Sequence, residues 1–152
     1  MAPRAASQSL DIRPIAAGED EAVIGLWHAA GLTRPWNDPQ RDLDFARGKS
    51  NSTVLVGHLD GRVVASAMVG HDGHRGAVYY LAVQPEYQGF GLGRAMMGAV
   101  EAWLLNKGVW KLNLSVRAGN EDVLGFYDSL GYQRSATVLL ERWIDPAKRG
   151  GS

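Results

Sequence analysis

Seven consecutive residues carry the chemistry that is easiest to name: Gln88-Gly89-Phe90-Gly91-Leu92-Gly93-Arg94. Three glycines at alternate positions stand directly before a segment with helical apolar spacing. The first turn of a helix leaves N–H groups without internal partners, and the dipole puts partial positive charge there. Such an end binds phosphate. Glycine permits positive φ and lets a ligand approach without meeting a Cβ. The Arg94 guanidinium adds a charge-assisted donor. Neither familiar nucleotide signature is present. No Gly-Lys-Ser/Thr triplet occurs, and in G-x-G-x-x-G the third glycine is replaced by Arg94 or Met96, depending on the frame. The plainer alternative is a flexible strand-to-helix connection.

The elements that must position this turn follow from periodicity. Leu10 to Pro14 reads as a short strand. Asp20 to Ala30 reads as a helix, with Val23, Leu26, Trp27 and Ala30 on one face. A two-proline loop, Thr33 to Pro39, leads to a short helix from Asp38 to Arg47. Two apolar runs, Thr53 to His58 and Arg62 to Gly70, flank Asp60-Gly61, a hairpin signal. A polar loop, His71 to Gly76, precedes a third run, Ala77 to Val83, so an antiparallel meander is expected. Gly91 to Lys107 is the longest helix, about 25 Å. Lys111 to Val116 alternates as a strand, Asn120 caps a helix from Glu121 to Leu130, and Tyr132 to Ile144 supplies one or two last strands. The order predicts a mixed sheet with helices on both faces.

Composition narrows the function. A chain of 152 residues favours one domain. We read it as 10–144, with flexible tails at 1–9 and 145–152. Sixteen Lys+Arg balance sixteen Asp+Glu, which argues against a sequence-blind nucleic-acid binder. With no cysteine there is no disulfide, thiolate metal site or Cys nucleophile. The first nine residues lack the apolar stretch of a secretory signal, and no run is long enough to span a membrane. A cytoplasmic location is expected.

Gln88-x-x-Gly91-x-Gly93 resembles the Q/R-x-x-G-x-G/A signature of the GNAT superfamily of acetyl-coenzyme A-dependent N-acetyltransferases. A second block, Asn120 to Tyr132, resembles that family's N-x-x-x-x-x-x-Y-x-x-x-G-F/Y segment. The runs Arg34-Pro35-Trp36-Asn37-Asp38 and His71-Asp72-Gly73-His74-Arg75-Gly76 make the chain similar to the small bacterial YpeA-like members. The resemblance spans about Leu10 to Ile144. It implies an α/β (α+β) fold: a mixed, mostly antiparallel sheet of six to seven strands with four helices on both faces. It also implies direct transfer of an acetyl group from acetyl-coenzyme A to a primary amine, with no covalent enzyme intermediate. The backbone of Gln88, Gly89, Phe90, Gly91, Leu92, Gly93 and Arg94 would hold the diphosphate. The main chain of Leu81, Ala82 and Val83 would pair with the pantetheine arm, and Asn120 and Tyr127 would also contact the cofactor.

The same resemblance makes Tyr127 the proton donor to the departing thiolate; the plainer alternative is a core aromatic. The attacking amine must be neutral, yet an alkyl ammonium is only about 0.04% neutral at pH 7. The carboxylates that relatives carry at the positions of Ala77 and Ser115 are missing. Tyr79 is the candidate for a water relay, with Tyr80 less favoured; in the plainer alternative both simply pack the sheet. Trp36, Asn37, Asp38 and Asp42 suit a cationic acceptor, but Asp38 is equally a helix cap and Trp36 a loop core. Trp36, Asp38 and Ser115 are the candidate substrate residues. His71 and His74 lack a third convincing metal ligand, so no metal is expected. The expected partners are acetyl-coenzyme A and a small-molecule or protein amine, with no nucleic acid and no membrane; a homodimer is allowed. The rival reading is a non-catalytic acyl-coenzyme A-binding or sensing module.

Overall fold

A computed structural model describes residues 10–149; residues 1–9 and 150–152, assigned above to the tails, lie outside it. The chain divides into two compact units, one ending at Leu114 and one beginning at Ser115. The first holds β1 (Asp11–Pro14), α1 (Asp20–Ala29), α2 (Pro39–Ala46), β2 (Ser52–Leu59), β3 (Arg62–His71), β4 (Gly76–Val83), a 3-10 turn (Pro85–Tyr87) and α3 (Leu92–Asn106). The second holds α4 (Glu121–Ser129) and a 3-10 turn at Pro146–Lys148.

The four strands form one antiparallel sheet in the order β1-β2-β3-β4. Asp60 and Gly61 take φ of 50° and 77° between β2 and β3, as a tight hairpin turn requires. Strand alternation then builds two cores. Val54 and Val56 of β2 and Ala82 of β4 pack with Val23, Leu26 and Trp27 of α1 and Leu43 and Ala46 of α2. On the other face α3 buries Leu92, Met96, Met97, Val100 and Leu104. At Gly57 the sheet comes so close to α3 that an added Cβ would lie 3.1 Å from Met96 Sδ.

Two polar contacts fix how α1 enters. Arg47, just past α2, pairs with Asp20 in the first turn of α1 at 2.6 Å, and Gln40 donates to the same carboxylate at 2.8 Å. His58 on β2 is 4% exposed, and its Nε2 lies 2.5 Å from Glu19 Oε2. Glu19 also accepts from the Ala16 N–H at 2.8 Å, closing the turn before α1.

The sheet has four strands, where the sequence reading predicts six to seven. Lys111 to Val116 alternates between half-buried and exposed as predicted, yet only Leu112 bridges Gly76, in parallel. Alternation describes which face a side chain takes; a strand also needs a continuous ladder, and a bulge in β4 interrupts the edge on offer. Tyr132 to Ile144 forms no strand either. Val138, Leu139, Leu140, Trp143 and Ile144 remain exposed. No helix among the described residues is long and apolar enough to cross a membrane.

Burial acts to raise the pKa of Glu19, but the hydrogen bonds from His58 and the Ala16 N–H, with the charges of His58 and Arg13, outweigh it and hold the carboxyl below its ordinary value of 4.5. A lowered folded-state pKa stabilises the fold at pH above the ordinary value, and that contribution is lost as pH falls through the lowered one. Glu19→Gln should therefore cost about 1 kcal/mol at pH 7. In urea melts, the gap to wild type should close as pH drops below 4.5.

Candidate functional site

β4 pairs with β3 along one edge. On its other edge, the Gly76 N–H donates to the Lys111 carbonyl at 2.8 Å and the Gly76 carbonyl accepts from the Asn113 N–H at 3.0 Å. Past that point no backbone hydrogen bond from the described residues reaches this edge of β4. The main chain of Leu81, Ala82 and Val83 therefore has, among the described residues, no backbone partner on that edge.

The register across β3 and β4 shifts within this stretch. Ser66 faces Ala82, but Met68 faces Tyr79, so β4 carries one extra residue. Tyr80 absorbs it with φ of 53°, in the left-handed region. Its ring stacks on Trp27 with centroids 3.8 Å apart and planes 11° apart. Its hydroxyl donates to Asp42 Oδ2 at 2.6 Å, and its carbonyl accepts from Ser66 Oγ at 2.9 Å. Ser66 Oγ in turn accepts from the Trp27 indole N–H at 2.9 Å. Burial, then the bond and charge of Asp42, push the Tyr80 phenol well above the ordinary tyrosine range, against the opposing charge of Arg34. Tyr80 is thus a fixed donor. Tyr79, the favoured relay residue in the sequence, is 64% exposed, and no hydrogen bond reaches its hydroxyl among the described residues.

The chain leaves β4 through Gln84 and the 3-10 turn. Gln88 Nε2 donates back to the Val83 carbonyl at 3.2 Å, folding the glycine run against the strand end. Gly89 and Gly91 hold φ of 86° and 83°, and a Cβ added to either would meet nothing within 4 Å. Gly91 is the N-cap of α3, and no side chain caps that terminus. Leu92 is buried and anchors the first turn, whereas Phe90 is exposed. The N–H groups of Leu92 and Gly93 have no backbone partner among the described residues.

Before α2, Asp38 is the N-cap, accepting from the Gln40 and Arg41 N–H groups at 3.0 and 3.4 Å. Trp36 is half-buried and Asn37 is exposed in the same loop. Asp72 Oδ1 accepts from the N–H groups of His74 and Arg75, and His71 Nδ1 from that of Gly73, so the His71 to Gly76 loop is closed by its own backbone.

In the second unit, Asn120 caps α4 through a 3.4 Å bond from the Val123 N–H. Tyr127 is buried, edge-on to Phe126 and Tyr132 at 5.0 and 5.4 Å between centroids. Burial pushes its phenol above the ordinary range. Ser115 is exposed.

The first unit thus joins Leu81, Ala82 and Val83 to the run from Gln88 to Arg94. It also joins Asp42 to Tyr80 and Trp27, a grouping the sequence reading does not make. The available signals were two adjacent tyrosines, which violate strand alternation, and a serine inside an apolar strand.

An uncapped helix end behind left-handed glycines, a short loop away from β4, is an arrangement whose free main-chain groups could take an anion and an amide. The profile of the Acetyltransferase (GNAT) family matches residues 17–132. An acetyltransferase of Yersinia pestis (strain Pestoides F) is 40% identical over 131 residues, covering 86% of this chain and 93% of that protein. The chain belongs to the GNAT family of acetyl-coenzyme A-dependent N-acetyltransferases. Two solved structures share the fold. The ribosomal-protein-S18-alanine N-acetyltransferase of Escherichia coli has a TM-score of 0.71 at 23% identity, covering 83% of this chain and 79% of that one. AAC(6')-Iy, solved with a bisubstrate analog of coenzyme A and acetylneamine, has a TM-score of 0.77 at 18% identity, covering 90% and 99%.

Asp38 is separable as cap and as acceptor ligand. Asp38→Ala should lower stability by about 1 kcal/mol, and Asp38→Ser should restore it. If capping is its whole role, KM for the acceptor amine stays unchanged in Asp38→Ser. A raised KM in both variants shows that the carboxylate also binds the acceptor.

Proposed function

We propose that this chain transfers the acetyl group of acetyl-coenzyme A directly to a primary amine: a protein N-terminus, a lysine or a small molecule. The observation that carries the reading is the α3 terminus, uncapped and fronted by Gly89 and Gly91 with open space where side chains would stand. These features fit a diphosphate, which needs converging N–H donors and no Cβ in the way. In this reading the Gln88 to Arg94 main chain binds the diphosphate, and Arg94 adds charge. The open edge of β4 at Leu81 to Val83 binds the amide-bearing arm as an added strand would bind. The donor supplies the activated acetyl group; the protein orients it and manages protons.

Tyr127 is the proton source. As the carbon–nitrogen bond forms and the carbon–sulfur bond breaks, the departing sulfur takes the phenolic proton; the proton that the amine nitrogen sheds passes to solvent water, from which Tyr127 is reprotonated. The raised pKa keeps that proton in place at neutral pH. Asn120 contacts the donor besides capping α4. On the acceptor side, the Trp36 to Asp38 loop and Ser115 remain the proposed substrate contacts, with Tyr79 as the exposed relay residue. One domain over 10–144 carries both blocks, and the setting is cytoplasmic.

Thiol release, followed with acetyl-coenzyme A and a panel of amines and peptides, tests the proposal. Tyr127→Phe, which keeps the ring and removes only the hydroxyl, should lower kcat by about 10²-fold. The alkaline limb of kcat that reports Tyr127 should lie above about pH 10. Gly91→Val forces a β-branched residue into the left-handed region beside the phosphates, and should weaken acetyl-coenzyme A binding more than it weakens folding. Tight binding with no turnover on any acceptor would favour the sensing module instead.

A further inference from the structure

Tyr80 is held in a conformation that an aromatic L-residue resists. At φ of 53° its Cβ crowds the following carbonyl. Such a residue persists only where its surroundings over-determine it, and this one is tied to three different elements. Its ring lies on Trp27 of α1, its hydroxyl on Asp42 of α2, and its carbonyl accepts from Ser66 of β3. Trp27 and Ser66 are fully buried and bonded to each other, so the platform under Tyr80 is itself rigid. The next three residues along β4 are Leu81, Ala82 and Val83.

We propose that Tyr80 and Asp42 are a positioning pair for the acetyl donor: their hydrogen bond, backed by the Trp27 stack, holds the left-handed bulge in β4 and so sets the direction in which the main chain of Leu81 to Val83 faces the donor's pantetheine arm. The inference rests on the proposed use of that edge. Neither residue touches the reacting atoms. The bulge rotates the peptide planes beyond it, and those planes present the donors and acceptors along the edge. If the phenol–carboxylate bond is lost, Tyr80 can relax toward ordinary strand geometry. The edge then swings while the sheet and the glycine turn stay in place. Because the acceptor oxygen belongs to a carboxylate, the bond is charge-assisted, and a neutral acceptor replaces only part of it.

The test compares two ligands by calorimetry: acetyl-coenzyme A, which has the pantetheine arm, and adenosine 3′-phosphate 5′-diphosphate, which keeps the diphosphate and lacks the arm. Tyr80→Phe keeps the ring on Trp27 and removes only the hydroxyl. In Tyr80→Phe and in Asp42→Leu, acetyl-coenzyme A affinity should fall about tenfold while nucleotide affinity holds. Asp42→Asn should fall between these and wild type. The double variant Tyr80→Phe/Asp42→Leu should lose no more than either single one, because both remove the same interaction. The inference is overturned if the single variants bind acetyl-coenzyme A like wild type, or if both ligands weaken in parallel, as general destabilisation would produce. Wild-type protein that binds the nucleotide and acetyl-coenzyme A equally well would overturn the use of the β4 edge, and the pair's role with it. That failure is distinct, since it is visible before any substitution is made.

Discussion

Backbone donors and acceptors must find partners, and along β4, one of the two edge strands, that demand is half met among the described residues. One edge is laddered to β3; the other is engaged at Gly76, and past it no further backbone bond from the described residues is made. A long unpaired edge invites pairing with another chain unless something blunts it. Here the bulge at Tyr80 twists the edge, and the Gln88 side chain caps the Val83 carbonyl at its end. What remains is short and irregular, a poor template for a continuous strand. In the proposed function this stretch is what takes the donor's amide-bearing arm. The same few residues then turn into α3, so the main-chain groups of a strand edge and of a helix terminus sit a short loop apart.

Around this edge the interior is polar in a controlled way. Trp27, Ser66, Tyr80 and Asp42 form one connected chain of hydrogen bonds and stacking. Within it the indole N–H, the seryl hydroxyl and the phenol each have a partner. A buried polar group without one costs about 1–3 kcal/mol, whereas a satisfied network narrows the conformations open to it. The Glu19–His58 contact does the same on β2, tying that strand to the turn that starts α1.

Much of this was legible in the residues. The helices declared themselves by apolar spacing and by their stops, and each differs from its predicted span by only one or two residues at an end. The Asp60-Gly61 turn and the glycine run before α3 were equally plain, because positive φ restricts which residues can stand there. The bulge was not legible. Counting by twos from Ala77 puts Tyr79 on the same face, and the register keeps that alternation; the inserted residue comes directly after it, and Tyr80, at φ of 53°, is the one that meets Asp42. A one-residue slip is invisible in a sequence with aromatics at both positions. The strands expected at Lys111 to Val116 and Tyr132 to Ile144 failed for another reason: alternation reports faces, whereas a ladder depends on partners that lie far away in the chain. Asp38 also carried two readings in the sequence. The observed capping bonds account for one of them.

Gly76 shows how a missing side chain can govern a distant geometry. A methyl group there would lie 2.6 Å from Leu104 Cδ1, near the far end of α3, while Gly57 sits under Met96 closer to its beginning. The helix therefore rests flush on two bare patches of sheet, like a beam on two bearings. Thickening one bearing by a single carbon would pitch the beam rather than lift it. Over the roughly 22 Å of a fifteen-residue helix, that tilt would be felt at the opposite tip. The aim of the helix terminus is thus set partly by an atom that is absent at the other end.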